Sequence, residues 1–232
     1  MKKTLLLILL VACRLLFVPA YSQNSIKVKE FDRLNLQGNI EALLEQGASE
    51  EVLIEEGQAD AVSKIDLEIE GKTLKIKMNL GEQVRGEQIR LRIFFKNMKE
   101  VKATGGAEVN LYLPGENMDF SAHVQTGANL NLEGHFSNLE LSSATGGKVK
   151  VRGSADYLEA AVNTTGEIRA GRLEVTKALL KAHTGGVLEA TVSKSVEASV
   201  ATAAEIILAG NPEEEKISTS VGGKITRVRS VR

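Results

Sequence analysis

The amino-acid sequence predicts an all-β protein, a parallel β-helix or β-solenoid with coils of about 19 residues, preceded by a less regular β-rich N-terminal part. Three observations predict this fold. A short glycine turn recurs at near-constant spacing, the segments between the turns alternate apolar and polar residues, and the composition favours small and branched aliphatic side chains. Of 232 residues, 21 are Gly and 3 are Pro, Trp is absent, and 4% are aromatic.

The recurring turn is a Thr-Gly-Gly triplet or a close variant. Its seven occurrences begin at residues 104, 126, 145, 165, 184, 202 and 221, with spacings of 22, 19, 20, 19, 18 and 19 residues. A period that persists in this way is typical of a repeat architecture. Glycine reaches positive φ without steric cost, so we predict that glycines form the corners of the coils. The predicted corner glycines are Gly105, Gly106, Gly127, Gly146, Gly147, Gly166, Gly185, Gly186, Gly222 and Gly223.

The segments on both sides of each turn predict strands, because their apolar residues recur with a period of two. Phe120, Ala122 and Val124 precede one turn, and Leu130 and Leu132 follow it. Strands of near-constant length satisfy their backbone hydrogen bonds most simply by coiling, so that equivalent strands stack in parallel.

Several turn threonines continue the inward phase of the strands before them. From this phase we predict a ladder of inward threonine hydroxyls, formed by Thr126, Thr184, Thr202 and their equivalents.

The first part of the mature chain is less regular. Residues 23–103 predict either a cap or a small β-rich subdomain, and residues 104–232 predict the repeat solenoid. Two alternating runs flank Glu70-Gly71-Lys72-Thr73 and predict a β-hairpin. Residues 57–64 predict a short helical turn or a loop. A cap is expected because open strand edges invite aggregation.

Residues 1–22 predict a secretory signal peptide, with two lysines, an apolar stretch and small residues before the cleavage site. We favour cleavage after Ser22 over lipidation at Cys13, because Arg14 and a second apolar run follow that cysteine. The prediction is an extracytoplasmic protein (secreted, periplasmic or outer-membrane associated) whose mature chain has no integral membrane span and no cysteine.

The charged residues exclude one class of partner. Without Lys2, Lys3 and Arg14 the mature chain carries 26 basic and 30 acidic residues, with the signs interspersed. This pattern has no electrostatic footprint for nucleic acid.

A search for chemistry predicts no catalytic, cofactor-binding or metal-binding residues. His123, His135 and His183 lack the spacing of metal ligands, and we predict that they lie on the surface. The acidic run Glu213-Glu214-Glu215 predicts a solvated loop.

The order of several segments resembles a known family. They are "VKEFDRLNLQGNIEALLEQG", "EGKTLKIKM", "KEVKATGGAEVNL" and "ILAGNPEEEKISTSVGGKI". This order resembles the head GIN domain family, secreted bacterial proteins named as autotransporter adhesins, over about residues 26–228. The chain departs from the family at Ala203-Ala204, and at residues 208–212, where the family has Tyr-x-Gly-x-Pro. The resemblance implies a β-solenoid fold and an extracytoplasmic location, and it implies no catalytic residues.

Three functional hypotheses remain open from the sequence. The first is a secreted or cell-envelope, non-enzymatic binding protein that presents a solenoid surface to a glycan or surface protein. The second is a carbohydrate-active β-helix enzyme, which needs paired carboxylates in a cleft. The third is a structural module that assembles into a homo-oligomer.

Overall fold

The structure, a computed structural model, describes residues 24–55 and 59–229. The predicted signal peptide, its cleavage site and Cys13 lie outside the described residues. Within them the protein is a β-solenoid of about seven turns with coils of about 19 residues, as the sequence predicts. Its strands are β1 Asn24–Lys27, β2 Arg33–Gln37, β3 Ile40–Gln46, β4 Glu51–Ile54, β5 Ile65–Glu70, β6 Thr73–Met78, β7 Ile89–Phe95, β8 Glu100–Thr104, β9 Glu108–Gln125, β10 Asn129–Ala144, β11 Lys148–Asn163, β12 Glu167–Ala182, β13 Val187–Val200, β14 Glu205–Gly210, β15 Glu214–Thr219 and β16 Lys224–Val228.

Each coil has two sides, joined by two corners. We call face A the side formed by the strand segments that follow the glycine turns, such as residues 129–134. Face B is the side formed by the segments that precede the turns, such as residues 138–144. Equivalent residues stack in parallel, so Leu130 pairs with Val149 and Val149 with Ile168. The apolar residues predicted to point inward from the alternation, including Phe120, are buried, and they form one core.

The first corner is the recurring glycine turn, and its two central residues have positive φ, as in a type I′ turn. In the turn at Thr145-Gly146 the φ angles are 50° and 73°, and the Gly147 amide donates to the Ala144 carbonyl over 2.9 Å. The predicted inward threonine ladder is wrong. At positive φ the side chain leaves the inward phase of the strand, and Thr126, Thr145, Thr165, Thr184 and Thr202 are exposed.

Stacking at this corner is instead carried by the backbone. The amide of the second central residue donates to the carbonyl of the first central residue in the next coil, for example Gly127 to Thr145 over 3.1 Å and Gly185 to Thr202 over 3.0 Å. The left-handed pair starts at residues 105, 126, 145, 164, 184, 202 and 221. Two turns therefore lie one residue away from the sequence alignment, the first and the fourth.

The predicted corner glycines occupy two different positions. Positive φ occurs at Gly105, Gly106, Gly127, Gly146, Gly185 and Gly222. The other predicted glycines directly follow the left-handed pair, where a side chain is excluded by lack of space rather than by a positive φ. A Cβ on Gly147 would overlap the backbone carbonyl of Val124 in the preceding coil. Gly166 and Gly223 meet a carbonyl in the same way, and Gly186 meets the side chain of Val162.

The second corner lies within the long strands and has its own glycines. Gly134 pairs with Gly153 there, and a Cβ on Gly153 would overlap the carbonyl oxygen of Gly134. Gly210 similarly faces the carbonyl of Val192. This corner was not predicted from the sequence, although glycine recurs at 134, 153, 171 and 210.

Strands of the N-terminal part pair into the same sheet out of chain order. β6 pairs with one edge of β2 and β7 with one edge of β3. On their other edges β2 pairs with β8 and β3 with β9, which continues the stack. Antiparallel strands cover this end: β5 pairs with β6, and β4 with β7. The predicted hairpin is confirmed as β5 and β6. Residues Ala59–Lys64 form a 3₁₀ helix and Leu80–Arg85 a short α-helix, α1.

The opposite end of the core is closed by charged residues. Glu215 on β15 pairs with the buried Val196, and Arg227 on β16 with the buried Leu208, so both occupy the inward phase. Their side chains form an ion pair with each other across the end of the core. Inward-pointing charges at a sheet edge oppose further pairing.

Candidate binding surface on face A

Face A carries an exposed aromatic side chain in the middle of the solenoid. Tyr112 lies on β9 between the buried Leu111 and Leu113, so the strand alternation turns its ring outward. The tyrosine is 58% exposed. Leu43, on the neighbouring β3, is also exposed at 39%. Because Leu43 pairs with Asn110, it lies diagonally next to Tyr112.

An insertion in the repeat forms one side of a depression next to this ring. Leu113 pairs with Gly134, whereas Asp119 pairs with Asn138, so β9 has two more residues than β10 at the second corner. The extra chain includes Pro114, which lines an open depression of about 560 Å³ together with Tyr112. Insertions in repeat proteins often map to the binding face.

Polar groups line the rest of this depression, which we call the Tyr112 groove. The side-chain amide of Asn131 donates from Nδ2 to Oδ1 of Asn110 over 2.9 Å, which fixes both amides on the outer surface. Gln46, Glu45 and Glu133 contribute further polar groups. At the C-terminal side the groove is lined by Lys150 and Arg152.

The two carboxylates of the groove do not form a close pair. Glu45 lies on β3 and Glu133 on β10, with β9 between them. Glu45 forms an ion pair with Arg92, with 3.8 Å between Oε1 and Nε. Glu133 is exposed, whereas a general acid usually lies in an apolar environment that keeps it protonated.

The three histidines lie at the surface and apart from the groove. His123 and His183 are half-buried and belong to face B and its turn, and they are separated by three coils. The Nδ1 atom of His135 lies 2.9 Å from the Ser154 hydroxyl. In the part of the chain that the structure describes, no group of three or more His, Cys, Asp or Glu side chains could hold a metal ion.

The acidic run near the C-terminus differs from its prediction. Glu213 precedes β15, but Glu214 and Glu215 are its first two residues rather than loop residues. Pairing of β15 with β13 explains the difference, since the coil continues through this segment. All three glutamates are exposed.

Between residues 24 and 229, in the described ranges, no helix is long and apolar enough to span a bilayer.

Several solved structures share the fold. A protein of Bacteroides fragilis named a "putative adhesin" is 18% identical with a TM-score of 0.77, covering 89% of this chain and 96% of that one. A "putative lipid binding protein" of Parabacteroides distasonis is 20% identical with a TM-score of 0.67, covering 90% and 96%. A "putative adhesin" of Parabacteroides merdae is 18% identical with a TM-score of 0.63, also covering 90% and 96%.

Comparison with proteins of curated function gives no match. A family model described as "Putative auto-transporter adhesin, head GIN domain" matches residues 30–212. This match spans more than half of the chain and includes both the Tyr112 groove and the glycine turns that position it. The protein therefore belongs to the head GIN domain family.

Proposed function

We propose that this protein is a non-enzymatic binding protein outside the cytoplasm, and that its Tyr112 groove holds a carbohydrate chain. The observation that carries the proposal is the exposed ring of Tyr112 beside the hydrogen-bonded amides of Asn110 and Asn131. A tyrosine ring offers a flat apolar face with a polar tip, which suits the apolar face of a sugar ring. The amides supply donors and acceptors for hydroxyl groups.

The shape of the groove supports a chain rather than an enclosed small molecule. Small-molecule sites are usually concave pockets that bury most of the ligand. The Tyr112 groove is instead open along the solenoid axis, from β3 through β9 and β10 to β11. Strands lie about 4.8 Å apart, so this surface extends over about 14 Å.

A binding role is favoured over hydrolysis because Glu133 is exposed and Glu45 is already paired with Arg92, so neither groove carboxylate has the apolar environment of a general acid. The adhesin names of the similar structures agree with a binding role. Secretion is proposed from the N-terminal segment of the sequence, with its basic, apolar and small-residue parts. The partner is proposed to be a glycan at the cell envelope or outside the cell.

The test is a screen of neutral and acidic oligosaccharides with the purified protein, followed by titration calorimetry of each hit. Tyr112→Ala should weaken binding by about tenfold or more, the loss expected for a stacked aromatic side chain. Tyr157→Ala is the matched control, since Tyr157 lies on face B and its loss should leave affinity unchanged. No saccharide binding at all, or equal losses in the two variants, would contradict the proposal, as would turnover of a bound polysaccharide.

A further inference from the structure

Two pairs of like charges face each other next to the Tyr112 groove. Lys150 on β11 lies directly opposite Arg169 on β12, and Arg152 lies opposite Arg172. All four side chains are exposed. We call them the basic quartet. Like charges directly opposite each other in a sheet are destabilising, so this arrangement is not explained by the stability of the solenoid.

Opposite charges are close to each other at several other cross-coil positions, although like charges also pair at Glu41–Glu108 and Glu140–Glu159. Lys181 binds Glu159 over 3.0 Å on face B, and Lys224 binds Glu205 over 3.0 Å on face A. In the basic quartet only Arg169 has an ion-pair partner among the described residues, and that partner is Glu167 on its own strand. The Glu167 carboxylate, which accepts a hydrogen bond from the guanidinium, raises the pKa of Arg169.

A bulge in β12 shapes the surface around these cations. Lys150 pairs with Arg169, whereas Arg152 pairs with Arg172, so β12 has one extra residue at this point. The hydroxyl of Thr191 donates to the carbonyl oxygen of Gly171 over 2.9 Å and holds the bulge. Bulges re-aim side chains and often lie next to functional sites.

The result is a shallow depression bordered by the quartet. Its volume is about 250 Å³, and the quartet and Glu189 line it. The depression is continuous with the Tyr112 groove, because Lys150 and Arg152 line both.

We propose that the basic quartet binds the anionic groups, carboxylates or sulfate esters, of an acidic polysaccharide whose sugar rings occupy the Tyr112 groove. This inference rests on the proposed function and names its substrate class. Guanidinium groups bind carboxylate and sulfate through paired, charge-assisted hydrogen bonds. From Tyr112 on β9 to Arg172 on β12 the track crosses three strand spacings, about 14 Å, so one extended chain reaches both parts.

The surroundings favour a narrow chain over an anionic membrane surface. Glu133, Glu167 and Glu189 border the basic quartet on β10, β12 and β13. These carboxylates limit the positive area to a strip about two strands wide. A linear polyanion that follows the row of Asn110, Asn131, Lys150 and Arg169 meets no carboxylate in that row. A flat anionic surface would meet the bordering carboxylates as well as the cations.

The experiment compares three forms of one polymer by titration calorimetry: chondroitin sulfate, desulfated chondroitin, and desulfated chondroitin with its carboxyl groups reduced. Affinity should fall in that order, and for the first two it should fall with added salt. Arg169→Gln/Arg172→Gln changes the two members of the quartet that line the depression but not the Tyr112 groove. It should weaken binding of the sulfated form by about tenfold or more, as expected for lost hydrogen bonds to charged groups. The neutral form should bind equally to this variant and the original protein.

The matched control is Lys177→Gln/Lys194→Gln, which removes the same charge from exposed lysines outside the track. It should leave all affinities unchanged. Equal binding of charged and neutral polymers would overturn the inference and leave the proposed function intact. Failure of all three polymers to bind, with tight binding to vesicles containing phosphatidylglycerol, would overturn both in favour of a lipid surface. Binding that needs the quartet but is unchanged by Tyr112→Ala would support an anion site and contradict the proposal that the sugar rings occupy the Tyr112 groove.

Discussion

Asn131 donates a hydrogen bond from its side-chain amide to the side-chain oxygen of Asn110 on the preceding coil, over 2.9 Å. The bond leaves one amide hydrogen of Asn131 and the amide group of Asn110 available at the groove. We predict that Asn131→Ala weakens carbohydrate binding about three- to tenfold, the effect of about one lost hydrogen bond. The melting temperature should change little, because the site is on the outer surface. Calorimetric titration together with thermal unfolding measures both effects.

Face B contains a matched control for this variant. Asn138 donates from Nδ2 to Oδ1 of Asp119 over 2.7 Å, again between neighbouring coils. Asn138→Ala therefore removes a similar cross-coil bond outside the groove. Equal loss of affinity in Asn131→Ala and Asn138→Ala would mean that the coil, not the groove, is disturbed.

The strands and the core could be predicted because their signal is local. The burial of a residue such as Leu141 or Val162 follows from the alternation of apolar and polar residues within about five neighbouring positions. The same alternation recurs in each repeat, which strengthens the prediction. The prediction of inward threonines was wrong for an equally local reason. A left-handed residue at the corner breaks the alternation, and neither Thr126 nor Thr184 shows this by its type, since threonine is unusual at positive φ.

The candidate site could not be predicted, because its residues are distant in the sequence. Tyr112 and Arg152 lie on either side of Glu133, so only the register of three coils places them in one groove, and that register depends on extra residues at the second corner. Pro114 and Gly171 mark these insertions, and Pro114-Gly115 is a turn dipeptide, but both insertions lie inside long strands. The signals that the sequence carried were the spacing of 22 residues between the first two turns, the Pro114-Gly115 dipeptide and the glycines that recur at the second corner.

Gly153 is the glycine at which substitution should be most damaging. Its φ is 116°, and a Cβ would overlap the carbonyl oxygen of Gly134. We predict that Gly153→Ala lowers the free energy of unfolding by about 3 kcal/mol or more, from backbone strain and overpacking together. Gly146→Ala is the control, because its φ is 73° but the space around it is open; its cost should be about 1–2 kcal/mol. Urea unfolding measures both, and equal costs would contradict the argument from space.

The turn threonines should be replaceable with a gain in stability. Thr145 has a φ of 50° and an exposed side chain. Asparagine tolerates this left-handed conformation better than a β-branched residue, so Thr145→Asn should raise the free energy of unfolding by about 0.5–1 kcal/mol. Thr176→Asn, within strand β12, should lower it instead, because asparagine is a poor strand residue. A loss of stability in Thr145→Asn would show that the turn does not strain the threonine.

Acid should weaken the attachment of β16 to β14. The Thr226 hydroxyl donates to Glu205 over 2.6 Å, and Lys224 lies 3.0 Å away; both lower the pKa of Glu205 below its ordinary value of 4.5. A lowered pKa stabilises the fold above the ordinary value, and that stabilisation is lost as pH falls through the pKa in the folded protein. Amide hydrogen exchange of β16, corrected for the intrinsic pH effect, should therefore show less protection as the pH falls below 4.5.

Two glutamine variants separate this carboxylate from a general acid effect. Glu205→Gln should abolish the acid-dependent loss of protection in β16. Glu197→Gln should retain it, because Glu197 binds Lys216 on face B, away from β16. If both variants keep the same acid response, another group controls the end of the solenoid.

The inward ion pair between Glu215 and Arg227 should prevent the open end of the solenoid from pairing with another chain. Both residues lie in the phase that is apolar in the preceding coil, at Val196 and Leu208. We predict that Glu215→Val/Arg227→Leu increases concentration-dependent association in light scattering, because it extends an apolar core to an exposed edge. Glu214→Val/Lys224→Leu changes outward residues of the same two strands and should associate less. Equal association of the two variants would mean that surface hydrophobicity alone drives it, and that the inward charges do not protect the edge.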